Sequence, residues 1–129
     1  MDADERRSRL NELSEKVIGC CYTVANTLGP GFLEKVYENA LARELKKANF
    51  DVQQQFPMAV TYDGAVVGEF VADLLVERFL MVELKAASHL EDVHFAQCMN
   101  YLKATGLQLC LLVNFGKPRI QIRRVVNEF

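Results

Sequence analysis

The chain has 129 residues, half of them hydrophobic and a quarter charged, with a formal net charge of −2. That is one domain's worth of ordinary globular chain, residues 1–129 as a single unit. It excludes global disorder, and roughly two-thirds of the unfolded surface can be buried without disulfide staples. No apolar run reaches the ~18 residues of a membrane span. The N-terminus, MDADERRSRLNELSEK, is charged where an export signal needs an apolar core, so a cytoplasmic protein is expected.

Leu10, Leu13, Val17, Cys20/Cys21, Val24 and Leu28 recur at three- and four-residue steps. They predict an amphipathic helix from about Asp4 to Leu28 that packs on the core. Its Leu10/Leu13/Val17 stripe is also a candidate homodimer surface, since a small core has little left to cover it. Gly29-Pro30-Gly31 breaks the helix, and a second runs from about Phe32 to Ala48. The period then changes. Val52–Tyr62 reads as a strand bent at Pro57, and Asp63-Gly64 is a hairpin turn. Val66–Val76 reads as the next strand, with Gly68 marking a bulge. Glu77-Arg78 turns the chain into Phe79–Lys85, whose continuous apolar character predicts a central strand covered on both faces. Ser88 is the expected N-cap of a third helix, His89–Thr105, ended by Gly106. Strands Leu109–Phe115 and Arg119–Val126 follow. The order α-α-β-β-β-α-β-β, an antiparallel meander and then a helical crossover, predicts an α/β fold of mixed α+β character with helices on a mixed sheet.

Cys20, Cys21, Cys98 and Cys110 form no Cys-x-x-Cys pair and sit among apolar neighbours, as buried thiols of a reducing compartment do. His89 and His94 are too few for a zinc site without carboxylate help and read as solvent-side helix residues. Residues 1–92 carry ten Lys/Arg against sixteen Asp/Glu. Residues 93–127 hold no acid and five bases, Lys103, Lys117, Arg119, Arg123 and Arg124. A basic final third suits an acidic partner such as a nucleic-acid backbone, although on this feature alone a charge-protected sheet edge is the simpler reading.

The chemistry concentrates in two apolar strands that should not hold charge. In Val82-Glu83-Leu84-Lys85, Glu83 and Lys85 project to one face and Val82 and Leu84 to the other. Asp73 sits in Phe70–Val76, and pairing about the Glu77-Arg78 turn brings it near Leu80–Glu83. A Glu–Lys pair would be the simplest reading of Glu83 and Lys85 alone. Two carboxylates together at low dielectric repel, and a hard divalent cation between them is the best relief.

Asp73-x9-Glu83-x-Lys85 on adjacent strands resembles the signature of the PD-(D/E)XK nuclease superfamily, with Ala72 in place of the variable proline. Gly31-Phe32-Leu33-Glu34-Lys35-Val36-Tyr37 reads G-x-x-E-x-x-Y, similar to the motif of the small GxxExxY family within it. Gln97-Cys98-Met99-Asn100-Tyr101 reads Q-x-x-x-Y, like the helix motif of the RecB-type branch. The resemblance spans Val17 to Val126 and implies a restriction-endonuclease-like core, an α-β-β-β-α-β mixed sheet flanked by helices with an extra N-terminal helix.

Carried over, Asp73, Glu83 and the Leu84 carbonyl would bind Mg²⁺ or Mn²⁺, Glu34 would add a further acidic ligand, and Lys85 would be the catalytic lysine. Gln97, Tyr101 and Tyr37 would position substrate. From the residues alone, Glu34 is equally a first-turn acid facing the helix dipole, Tyr37 a core-edge aromatic, and Gln97/Tyr101 a helix-to-sheet hydrogen-bonding pair. The resemblance implies a hydrolase that cleaves phosphodiester bonds of nucleic acid, DNA foremost, through metal-activated water. No zinc finger, helix-turn-helix or basic arm is present to read sequence, so specificity would be low, structural or supplied by a protein partner. The alternatives are a non-catalytic nuclease-fold module that binds nucleic acid or a protein, and an enzyme acting on a small phosphoester.

Overall fold

The computed structural model describes residues 2–127. Among them, three helices and five strands follow the expected order: α1 Ala3–Leu28, α2 Glu34–Lys47, β1 Val52–Tyr62, β2 Ala65–Val76, β3 Leu80–Lys85, α3 Asp92–Thr105, β4 Leu109–Asn114 and β5 Gln121–Val126. The strands lie in sequence order in one mixed sheet. β3 and β4 are parallel and every other neighbour is antiparallel, so α3 is the crossover that the parallel pair requires. None of the described helices is long and apolar enough to cross a membrane.

The sheet is covered on both faces, which is why β3 and β4 can be apolar almost throughout. On one face α1 and α2 pack over Leu74, Val76, Leu80, Val82, Leu84, Leu109, Leu111 and Val113. On the other, α3 packs over Ala72, Met81, Cys110, Leu112 and Val125. Leu10, Leu13 and Val17 of α1 are buried in this core. The stripe expected to seek a second copy is therefore covered by the chain itself, which removes the argument for a dimer through that face.

Local chemistry sets the element ends. Asp2 caps α1 by accepting the Glu5 N–H at 2.8 Å. Gly29 and Gly31 take φ of 69° and 112°, a region that suits glycine, and bend the chain into α2. Tyr37 fastens this bend: its hydroxyl donates to the Gly29 carbonyl at 2.6 Å and accepts the Phe32 N–H at 3.2 Å. Its ring stacks on Phe115 at 4.7 Å. Helix α2 consequently begins at Glu34, two residues later than the sequence suggests. Helix α3 begins at Asp92 rather than His89, because Glu91 rather than Ser88 caps it: the Glu91 side chain accepts from the His94 backbone while the Glu91 N–H donates to His94 Nδ1 at 3.0 Å. Ser88 hydrogen-bonds His89 instead.

The hairpins behave as their turn residues dictate. Asp63 and Gly64, and likewise Glu77 and Arg78, all have positive φ, the conformation of the two central residues of a tight turn. Neither Glu77 nor Arg78 is a glycine, and the turn is braced by Asp51, whose carbonyl accepts the Glu77 N–H at 2.8 Å and whose N–H donates to the Glu77 carboxylate at 2.7 Å. Strand β1 runs through Pro57 without a break, pairing it with Val71. The register shift lies farther on: Val60 pairs with Gly68 and Thr61 with Val66, leaving Val67 as the extra residue beside Gly68.

One buried polar residue holds the end of β3. Asn114 accepts the Ala87 and Gly116 N–H groups at 3.0 Å each, and donates to the Ala87 carbonyl at 3.0 Å and to Gln121 Oε1 at 3.1 Å. The segment after Lys85 is thereby tied to the β4–β5 turn, so closely that a side chain at Gly116 would run into the Ala87 backbone. Asn114→Ala leaves the Ala87 and Gly116 N–H groups without their acceptor and is expected to cost about 3 kcal/mol. Urea unfolding measures this, and a midpoint equal to that of the wild type would show that the clamp contributes nothing.

Candidate active site

The site forms where two strands part. β2 and β3 pair only at Val76–Leu80, Leu75–Met81 and Leu74–Val82, while β1 and β2 stay paired along almost their whole length. At the next step, where Asp73 faces Glu83, carboxylates replace backbone groups. Glu83 Oε1 accepts the Asp73 N–H at 3.2 Å, and Asp73 Oδ2 accepts the Leu84 N–H at 2.8 Å. Each acid satisfies a backbone donor of the other strand that the parted ladder leaves open. Glu83 and Lys85 share the α3 face with Met81, while Val82 and Leu84 enter the opposite core.

The electrostatics follow from burial. Glu83 is 8% exposed. Desolvation first, and then the neighbouring Asp73 charge, push its carboxyl up to about 8, against the opposing pull of the Asp73 N–H and of Lys85. Lys85, half-buried, takes part in none of the ion pairs found among the described residues. The simple Glu83–Lys85 pair is therefore not the arrangement adopted.

Helix α3 forms the facing wall. Gln97 Nε2 donates to the Tyr101 hydroxyl at 2.7 Å, and the Tyr101 ring stacks on Phe70 of β2 at 3.7 Å. The stack on Phe70, three residues before Asp73 in β2, holds this pair on the α3 side of the sheet, and burial and then the Glu83 charge raise the Tyr101 hydroxyl above its ordinary range.

Helix α2 contributes differently from what its motif suggests. Glu34 lies exposed in the first turn and has no side-chain hydrogen bond among the described residues. Glu38, one turn on, is 4% exposed and reaches the sheet. Its Oε2 accepts from Lys35 Nζ at 3.0 Å and Gln54 Nε2 at 2.7 Å, and its Oε1 accepts from Gln55 Nε2 at 2.6 Å. Gln55 Nε2 also lies 3.4 Å from Asp73 Oδ1. Sequence reasoning missed Glu38 and Gln55. The available signal was a carboxylate on the apolar stripe of α2, three residues before Leu41 and seven before Leu45. Tyr37, expected at the substrate, is wholly buried, and its hydroxyl is spent on the Gly29–Phe32 bend. Its place is structural because no part of it reaches the cleft.

Among the described residues no group of three or more His, Cys, Asp or Glu side chains converges on one point. Two facing carboxylates, one of them buried and repelled by the other, form an oxygen donor set for a hard cation that keeps several waters. The cation would offset the burial and the repulsion that together hold the Glu83 carboxyl up. Without it, the sign of the pH effect is fixed. Glu83 binds its proton more tightly folded than unfolded, so the stability this proton contributes is present below about pH 4.5 and is lost as pH rises toward 8. In EDTA, Glu83→Gln should therefore gain on the wild type between pH 5 and pH 8 by roughly 5 °C in melting temperature. An equal difference at both pH values would mean that Glu83 does not titrate as its surroundings dictate.

Comparison with known proteins agrees with this fold. The family model of the PD-(D/E)XK nuclease superfamily matches residues 11–125. No curated protein sequence matches the chain. Among solved structures, the chain is similar to an alkaline exonuclease (LHK-Exo) from Laribacter hongkongensis, with a TM-score of 0.54 and 14% identity over 73% of this chain and 56% of that one. It is also similar to SSO0001, with a TM-score of 0.56 and 19% identity over 96% of this chain and 63% of that one. The chain thus spans less than two-thirds of the length of either structure, and at these identities what they share with it is the fold. Nucleases of this superfamily typically use divalent metal ions. With its mixed sheet, its parted strands and its facing carboxylates, this chain belongs to the PD-(D/E)XK nuclease superfamily.

Proposed function

We propose that the protein is a Mg²⁺- or Mn²⁺-dependent nuclease that hydrolyses phosphodiester bonds of DNA. The observation that carries this reading is the meeting of Asp73 and Glu83 at the parting of β2 and β3, with Lys85 on the same strand as Glu83 and in none of the ion pairs among the described residues. Asp73, Glu83 and the Leu84 carbonyl hold the cation, and Glu34 acts as an outer acid through water. A cation bound there supplies Lewis acidity to the phosphate and lowers the pKa of water.

The chain's own groups do the rest. Lys85 orients the attacking water and offsets negative charge that grows on the phosphate. Gln97 and Tyr101 position the substrate from the opposite wall. In register across the sheet, Glu83 aligns with Leu112 and Arg123, and Lys85 with Asn114 and Gln121. Arg123 of the basic final third is thus aligned with the site on the α3 face, where it suits a polyanionic backbone, while Arg124 reaches Asn11 on the opposite face. Specificity is structural or supplied by a protein partner. The motif Gly31-x-x-Glu34-x-x-Tyr37 and the Gln97/Tyr101 pair support membership of the GxxExxY family and the RecB-type branch. Four free cysteines, three of them buried, suit a reducing, cytoplasmic setting.

Two outcomes test the reading in a plasmid and oligonucleotide cleavage assay. Lys85→Ala should keep its melting temperature within about 2 °C, because no ion pair is broken, keep metal binding, and lose cleavage by on the order of 10²-fold or more. Cleavage at the wild-type rate would return the chain to a non-catalytic nucleic-acid- or protein-binding module. Activity should require Mg²⁺ or Mn²⁺ and fail with Ca²⁺, which accepts looser geometry. EDTA should abolish it without unfolding the protein, and robust cleavage in EDTA would reject the site.

A further inference from the structure

Gln55 stands out by its backbone. Among the described residues other than glycine, five have positive φ: Asn49, Asp63, Glu77 and Arg78 lie in turns or at a helix end, and Gln55, at φ 53°, alone lies inside a strand. A non-glycine residue pays for this conformation, so the surrounding structure must hold it there. The irregularity falls opposite Asp73, between the pairs Gln54–Leu74 and Phe56–Ala72. It coincides with a switch of faces: Val52 and Leu74 pack toward α1 and α2, whereas Met58, Phe70 and Ala72 pack toward α3. The twist turns the Gln55 side chain in between α2 and β2. There its Nε2 lies 2.6 Å from Glu38 Oε1 and 3.4 Å from Asp73 Oδ1. A primary amide carries two N–H hydrogens, one for each carboxylate. Both neighbours are acceptors, which fixes the amide with its nitrogen toward them.

We infer that Gln55 is a positioning residue through which Glu38 sets the orientation of Asp73. Glu38 is anchored from its other oxygen by Gln54 and Lys35, so it offers Gln55 a fixed acceptor. Asp73 is then held at both oxygens, Oδ1 by Gln55 and Oδ2 by the Leu84 N–H at 2.8 Å. Its carboxylate is oriented before a cation arrives, and Glu38 acts on the site without touching the cation. The inference rests on the reading that Asp73 and Glu83 bind a divalent metal.

The test is binding of Mn²⁺ alone, by calorimetry without nucleic acid, together with melting curves in EDTA. Gln55→Asn suits it, because asparagine tolerates the left-handed backbone but is one methylene too short to span the two acids. Metal dissociation constants should rise 10- to 100-fold for Gln55→Asn and for Glu38→Gln, the usual effect of losing a group that orients a ligand. The melting temperature of Gln55→Asn in EDTA should be unchanged or higher, and Gln55→Gly serves the same purpose if the asparagine variant does not fold. The double variant Glu38→Gln/Gln55→Asn should bind no more weakly than the weaker single variant, since both break one relay. Wild-type affinity in Gln55→Asn would overturn the positioning role while leaving the metal site intact. Additive losses in the double variant would overturn it by making Glu38 an independent ligand. A wild-type protein that does not bind Mn²⁺ would overturn the metal reading itself, and this inference with it.

Discussion

The hydrogen bonds that β2 and β3 stop making beyond Leu74 and Val82 govern the rest of the molecule. A sheet that stayed paired would bury its central strands completely and leave no room for charge. A sheet that simply opened would expose unsatisfied backbone donors. Here the carboxylates of Asp73 and Glu83 take over the Leu84 and Asp73 N–H groups. The same two acids close a structural defect and create an electrostatic one. Desolvation and mutual repulsion set against backbone hydrogen bonding describe a site that is folded yet short of positive charge.

The elements around the parting keep it in place. Strands β3 and β4 form the rigid floor, buried on both faces. Asn114 ties the segment after Lys85 to the next turn, and the Phe70–Tyr101 stack ties α3 to the diverging strand. The Gly31-x-x-Glu34-x-x-Tyr37 sequence belongs to this scaffolding as much as to any chemistry. Gly31 supplies the bend, and Tyr37 locks it through the Gly29 carbonyl and the Phe115 ring. The lock orients α2, and the orientation of α2 is what aims Glu38 at the sheet.

Much of this was legible in the residues. Apolar spacing gave both early helices to within two residues at their starts, and Asp63-Gly64 and Glu77-Arg78 marked their turns. The approach of Asp73 to the Leu80–Glu83 stretch followed from the length of one turn. What escaped was set by geometry that no local pattern encodes. The burial of Glu38 rather than Glu34 depends on how α2 is docked. The reach of Gln55 depends on one left-handed residue within β1. The start of α3 was misplaced because a serine is the commoner cap, whereas here Glu91 and His94 cap the helix reciprocally. The α1 stripe suggested spare apolar surface because its coverage by β3, β4 and α2 could not be counted from the sequence.

The outer half of the β1–β2 ribbon has a different character from the floor. From Thr61 to Val67 every residue is exposed, Tyr62, Val66 and Val67 among them, and the turn at Asp63-Gly64 closes on itself. Backbone there is bound to its partner strand alone, remote from the Asn114 clamp and the parted ladder. Extra polypeptide spliced in at that tip would disturb neither hydrophobic layer, as exposed loop tips generally allow. The ribbon end is thus the point at which this small scaffold could grow a recognition module by insertion while its carboxylates keep their places.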